Sequence, residues 1–300
     1  MIHHFPLFID EGIHIHMARA LSGQPGQGLF DGKWLTIQIF ALATRLPLDP
    51  LLATRSVAML FGLATAFACF LIGRELFSLR EGVISASTYV ILPFTLIYNS
   101  LALTDSFQTA FGAYVVLSSI LVVRAGKLRH VAFLFGALIT AILAKLTGVF
   151  FLSIPLVAAL IPVPGRLRYQ ALLRIAPAVL GVLALLVGLW LEGLLFVEGV
   201  TGKIQGGSEV FGRLLANTGG AASWLYDLLT PPIAVLTLLA LILPLVFERN
   251  RADLFLSAVL LLEIVPYVIV AHVWFPRYLL FVTVPVCSSS GGSFPPYGNA

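Results

Sequence analysis

The chain has 300 residues, 59% of them hydrophobic and 11% charged, with a formal net charge of +4 and a mean hydropathy of +1.00. A soluble domain carries about 25% charged residues, so this chain lacks the polar surface to cover a water-soluble globule and reads as a polytopic, all-α membrane bundle. Long apolar runs without period-two alternation argue against a transmembrane β-barrel. The few basic residues lie between apolar runs rather than in a patch for nucleic acid, and two cysteines make neither a disulfide framework nor a metal spacing.

In chain order, the first 30 residues hold no signal-peptide core and no full span. They do hold adjacent carboxylates, Asp10 and Glu11, in the stretch FIDEGIHIHMARAL. The run 34–48 (WLTIQIFALATRLPL) contains Arg45, ends near Pro47 and Pro50, and is too short to cross. It reads as an amphipathic helix lying on the membrane. A crossing helix needs about 20 apolar residues. Candidates fall at 55–73, 83–100, 106–123, 131–144, 147–162, 175–195, 233–247 and 254–271, with a last one starting near 278. The pair 131–162 reads as a hairpin, with one long tilted helix as the alternative. The tail CSSSGGSFPPYGNA breaks from the apolar text, giving a membrane domain at 1–286 and an aberrant or disordered tail at 287–300. The closeness of Asp10 to Met1 leads to the expectation of a missing first span upstream.

Charge orients this bundle. The short loops 74–82, 124–130, 163–174 and 248–253 are all basic, and the expected spans put all four on one side, which the positive-inside rule makes cytoplasmic. The other side receives 1–54, the turn at 101–105, the hairpin tip at Lys145, the loop 196–232 and the segment 272–277. Asp10, Lys33, Asp105, Lys145 and Arg277 therefore share an external or periplasmic face. Carboxylates there can deprotonate an acceptor hydroxyl, and cations can hold a phosphate. No phosphate-binding P-loop, HExxH or GxSxG motif is present.

Each of these residues also has a plainer reading. Asp10 and Asp105 can cap helices. Lys33 and Arg277 can be interfacial anchors, and Lys145 can mark a wet tip. Asp10 and His14, at i and i+4, can pair on a metal or be ordinary surface groups beside His16. Glu263 lies deep in a span, either paired or at a site. Trp224, Tyr226 and Trp274 read as an aromatic belt.

Together the pieces FIDEGIHIHMARAL, DGKWL, DPLLATRSVAMLFG, GRELFSLREG, LPFTLIYNSLALTDSF, AKLTG and FPRYLLFVTVP, spread over residues 6 to 286, resemble the GT-C membrane glycosyltransferases. The resemblance is to the glycosyltransferase 39 or RgtA/B/C/D-like group, relatives of protein O-mannosyltransferases and lipid A aminoarabinose transferases. It implies a GT-C-type bundle with external amphipathic helices that transfers a sugar from a polyprenyl-phosphate donor to a hydroxyl acceptor. It maps the catalytic base to Asp10, with Glu11 its usual neighbour. Lys33 falls at the lysine that contacts donor phosphate, and Asp105 at the acidic residue of the second external loop. Lys145, Arg277 and Tyr278 join these as candidate substrate-binding residues. The implied partners are a lipid-linked sugar donor, membrane lipids, and an acceptor glycan, lipid or protein. A divalent cation such as Mg or Mn could share the neutralisation of the leaving phosphate, although no ligand cluster demands one. Trp34-Leu35 stands where the family has Pro-Pro. A transporter or lipid flippase is the competing reading; it expects ionisable groups deep in the bundle and helices broken at mid-membrane.

Overall fold

The computed structural model describes residues 7–21, 32–193, 216–220, 222–223, 226, 235, 251–270 and 276–288, and every element assigned among them is helical. The eleven α-helices used below are α1 Ile9–Leu21, α2 Trp34–Ala43, α3 Pro50–Leu76, α4 Leu79–Ile91, α5 Pro93–Asn99, α6 Thr104–Ala125, α7 Leu128–Ala144, α8 Ser153–Leu160, α9 Arg168–Leu191, α10 Arg251–Val270 and α11 Thr283–Ser288. Shorter 3-10 turns lie at Leu146–Leu152, Gly165–Leu167 and Pro276–Val282.

The chain is an integral membrane protein. Among the described residues, three helical stretches are long and apolar enough to cross a bilayer alone: α3, α6 and Gly165–Leu191. The 27 residues of α3 reach about 40 Å at 1.5 Å per residue. Its start is set locally, because Pro50 occupies the first turn and the Asp49 carboxylate accepts from the Leu51 and Leu52 amides, each at 3.0 Å. Ser78 caps α4 by accepting from Glu81 N at 3.3 Å, an S-x-x-E start.

Two glycines let α3 and α4 meet. A Cβ on Gly82 would stand 2.5 Å from the Phe70 carbonyl oxygen, and one on Gly73 would stand 2.9 Å from the Gly82 Cα. Any side chain there would force the two backbones apart.

The structure corrects several sequence boundaries. The expected span 83–100 is α4 and α5, bent by 65°. Pro93 cannot donate to the α4 ladder and starts a new helix instead. The expected helix 147–162 opens as a 3-10 turn before α8. The chain does reverse at Lys145, since a Cβ on Gly148 would lie 2.4 Å from the Ala141 carbonyl oxygen. α2 stops at Ala43, leaving Arg45 exposed beyond it, and its Thr36, Ile37, Phe40 and Ala41 are buried against neighbouring helices. Cys287 and Ser288, expected to open the tail, are buried in α11, where Ser288 Oγ and Ser85 Oγ lie 3.1 Å apart. Nearly all of the candidate span 233–247 and of the loop 196–232, and Trp224 and Trp274, lie outside the described residues.

α6 is the central post. It packs against α3, α7, α8, α9 and the Pro276–Val282 turn, and 83% of its membrane-length window is buried. Phe107 on α6 meets Phe40 edge-on at 5.2 Å and Phe61 at 4.1 Å between ring centroids. Basic loops collect at its far end. Arg124 donates to the Glu75 carbonyl and lies 3.3 Å from the Glu75 carboxylate, Arg74 donates to that carboxylate at 2.9 Å, and Arg174 donates to Val123 O at 3.0 Å. Asp105 stands at the opposite end of α6, about 28 Å away at 1.5 Å per residue, close to the thickness of a bilayer's apolar core.

Candidate active site

Five stretches remote in sequence converge at the Asp105 end: 8–14, 32–36, 99–108, 145–147 and Arg277. The join begins with Glu11. Its fully buried carboxylate accepts from Arg55 Nε at 2.8 Å and Arg55 Nη2 at 2.7 Å, a bidentate pair with 1% and 0% of the side chains exposed. It also accepts from Ala102 N at 2.7 Å and, reaching back just ahead of α1, from Phe8 N at 3.0 Å. Burial pushes the Glu11 carboxyl up, but Arg55 and the two amides outweigh burial and hold it below its ordinary 4.5. Glu11 thus clamps α1 to α3 and to the turn before α6. Its place is in the scaffold, with both oxygens engaged.

Its neighbour Asp10 points the other way. Asp10 Oδ2 accepts from Arg277 Nη1, and the same guanidinium lies 3.6 Å from Asp105 Oδ2 through Nε. Asp105 Oδ1 in turn accepts from Lys145 Nζ at 2.7 Å. The result is an alternating file, Asp10, Arg277, Asp105, Lys145. Asp105 is 5% exposed and sits in the first turn of α6, where the helix dipole favours its charge. It does not cap α6, whose N-cap is Leu103. The Arg277 guanidinium also lies over the Phe8 ring, 5.9 Å from its centroid.

Lys33 enters through backbone docking. Gly32 has φ of 63°, a left-handed conformation that suits glycine. Its carbonyl accepts from Leu146 N at 2.7 Å, and Thr36 Oγ1 donates to Ala144 O at 3.0 Å. These bonds pin the start of α2 to the reversal that carries Lys145. Lys33 Nζ lies 3.4 Å from His14 Nε2, and His14 Nδ1 lies 3.0 Å from Ala102 O. His14 is 3% exposed. Burial, then the nearby Lys33, push its pKa from 6.5 down to about 4, against the opposing pull of Ala102 O and Asp105. The imidazole is therefore neutral near pH 7.

Of the sequence candidates, Asp10, Lys33, Asp105, Lys145 and Arg277 lie together. The side chain of Tyr278 is outside the described part. Two contributors escaped sequence reasoning. Arg55 had a usable signal, an arginine at the edge of an apolar span that requires a buried partner. Ala102 had none, because it acts through its backbone. Among the described residues no three of His, Cys, Asp and Glu converge as metal ligands. Asp10 and Asp105 are already engaged by cations, so this donor set does not fit a divalent metal.

The fold of this helix bundle is similar to that of a solved membrane protein. The particular likeness is to ArnT from Cupriavidus metallidurans. Its apo crystal structure matches with a TM-score of 0.61 at 13% identity. Its undecaprenyl phosphate-bound structure matches with a TM-score of 0.63 at 16% identity. Both matches cover 94% of this chain, which spans 55% of the length of ArnT. At these identities the likeness is one of fold. No protein-family model and no curated protein matches the sequence.

Proposed function

We propose that this chain is a glycosyltransferase that moves a sugar from a polyprenyl-phosphate donor to a hydroxyl acceptor at the periplasmic face of a bacterial inner membrane. The observation that carries the proposal is the file Asp10, Arg277, Asp105, Lys145, with Lys33 beside it, at one end of a GT-C bundle. The ArnT structure that holds undecaprenyl phosphate supports the donor class. The donor's lipid tail stays in the bilayer, and its phosphate meets Lys33, Lys145 and Arg277. A phosphate arriving at Arg277 competes with Asp10 for the same guanidinium and frees the carboxylate. Asp10 then takes the proton of the acceptor hydroxyl as that oxygen attacks the anomeric carbon, inverting it. The bond from anomeric carbon to phosphate oxygen breaks, and the cations hold the departing phosphate. Glu11 and Arg55 fix the two acidic turns in register.

The transporter reading rests on deep ionisable groups and broken helices, and the break between α4 and α5 is of the second kind. Glu263 on α10 is buried, and it lies within electrostatic reach of Lys145, which ties it to the Lys145 end of the bundle.

The test uses the full chain in lipid nanodiscs with undecaprenyl phosphate as probe. Arg277→Met should weaken binding by about tenfold, the loss of one charge-assisted contact. Asp10→Asn should retain binding and abolish transfer from a polyprenyl-phosphate sugar. Wild-type protein that does not bind the lipid phosphate, or Asp10→Asn protein that transfers normally, refutes the reading.

A further inference from the structure

We propose that the end of the bundle opposite the site is a docking face for anionic phospholipids, whose headgroup phosphates it gathers on the turn between α6 and α7 and on the start of α9.

Three loops are tied into one platform there. Arg124, in the last turn of α6, donates to the Glu75 carbonyl and joins the end of α3 to the end of α6. Arg174 on α9 donates to Val123 O at 3.0 Å and joins the end of α6 to the first turns of α9. Gly126, with φ of 60°, turns the chain beside them, and a Cβ there would stand 2.7 Å from Arg174 Nε. The membrane-length stretches Pro50–Leu76, Thr104–Ala125 and Gly165–Leu191 all stop or start at this platform. Its loops therefore lie where hydrocarbon gives way to headgroups.

The platform presents cations and apolar side chains side by side. Arg80, Lys127, Arg129, Arg166 and Arg168 are exposed. Among the described residues, the carboxylates at this end are Glu75, bonded to Arg74 and Arg124, the half-buried Glu81 at the start of α4, and the buried Asp253 at the start of α10. The exposed cations thus outnumber the acidic groups that share their surface. Leu79 precedes Arg80, Leu128 lies between Lys127 and Arg129, and Tyr169 follows Arg168. These three are 62%, 82% and 71% exposed. In water such exposure forfeits the gain from burying them. At a bilayer boundary they enter the acyl edge while the neighbouring cations reach up to the phosphates. A zwitterionic headgroup offers the same phosphate with a compensating ammonium, so net charge selects the anionic lipid.

The experiment reconstitutes the full chain in phosphatidylcholine membranes carrying a trace of spin-labelled phosphatidylglycerol or spin-labelled phosphatidylcholine. Electron spin resonance then reads how strongly the protein immobilises each lipid. At low salt the wild-type chain should prefer phosphatidylglycerol by about tenfold, the attraction of one to two cations. At about 1 M salt, where the Debye length falls to about 3 Å, the preference should drop below about twofold. That comparison needs no variant. Lys127→Gln/Arg129→Gln and Arg166→Gln/Arg168→Gln should each lower the low-salt preference by about threefold, and the four changes together should remove it. Arg19→Gln/Arg45→Gln neutralises two cations that are exposed away from this platform and should leave the preference intact. Equal immobilisation of the two lipids by the wild-type chain, or a preference that salt does not reduce, overturns the proposal. So does a loss in Arg19→Gln/Arg45→Gln as large as in the platform variants, which would make the effect one of net charge and not of this face.

Discussion

Removing Arg55 should loosen the site from a distance. Breaking a buried ion pair by deleting one partner costs about 3–5 kcal/mol. In Arg55→Met the Glu11 carboxylate keeps two donors, Ala102 N at 2.7 Å and Phe8 N at 3.0 Å, so the loss should fall near the lower end, about 3 kcal/mol. Glu11→Leu leaves a guanidinium of 1% exposure without its carboxylate and also orphans both amides, so about 5 kcal/mol is expected. The double variant Glu11→Leu/Arg55→Met removes both charges and keeps only the amide penalty, at about 2–4 kcal/mol, well short of the two single losses combined. Unfolding titrations in mixed micelles of SDS and a mild detergent measure these differences, and amide hydrogen exchange at Ala102 reads the local loosening. Additive losses, or a loss below about 1 kcal/mol in Arg55→Met, would refute the view that this pair holds the scaffold.

Other outcomes follow from the same geometry. Acid should destabilise the fold. The unfolded His14 takes a proton below 6.5 while the folded one stays neutral to about 4, so stability falls as pH drops through that window, by about 3 kcal/mol in all. Glu11 adds a further loss below its unfolded 4.5, since its folded pKa lies lower still; unfolding titrations from pH 7 to 4 check both. Gly82→Ala puts a Cβ 2.5 Å from the Phe70 carbonyl oxygen and should cost about 3 kcal/mol, as overpacking does, measured in the same titrations. Gly32→Ala meets both a φ of +63° and the Leu146 Cβ at 2.9 Å. It should cost about 1–2 kcal/mol and weaken undecaprenyl phosphate binding through the displaced Lys33.

Hydropathy and charge made the bundle and the separation of charged groups between its two ends legible, because membrane solvation forces apolar length and lets loop charge set direction. The gathering of Arg74, Arg124 and Arg174 at one end and of Asp10, Asp105, Lys145 and Arg277 at the other is what that reasoning expects. Pro93 carried a signal that the length of the run 83–100 hid. Arg55 and Glu11 were both visible, but a pair 44 residues apart is fixed by tertiary packing, to which helical period is blind. The division of labour between Asp10 and Glu11 was equally hidden. Adjacent helical residues point in directions about 100° apart, and only the position of α3 decides which carboxylate is buried. GRELFSLREG was legible as a piece of the resemblance. Its two outer glycines, Gly73 and Gly82, prove to be where two backbones touch.

Ala102 gives its amide hydrogen to Glu11 and takes a hydrogen from His14, so one small residue reads two side chains a turn apart on α1. The recognition is carried by main chain alone, and a conventional alanine scan passes over it unseen. Exchanging Ala102 for glycine or serine leaves both bonds in place, whereas an ester at the 101–102 linkage deletes the donor and weakens nothing else nearby but the Leu101 carbonyl as an acceptor. The register between Glu11 and His14, and with it the placing of the candidate base and the candidate phosphate-binding lysine, is thus written in the peptide backbone, where substitutions accumulate without disturbing it.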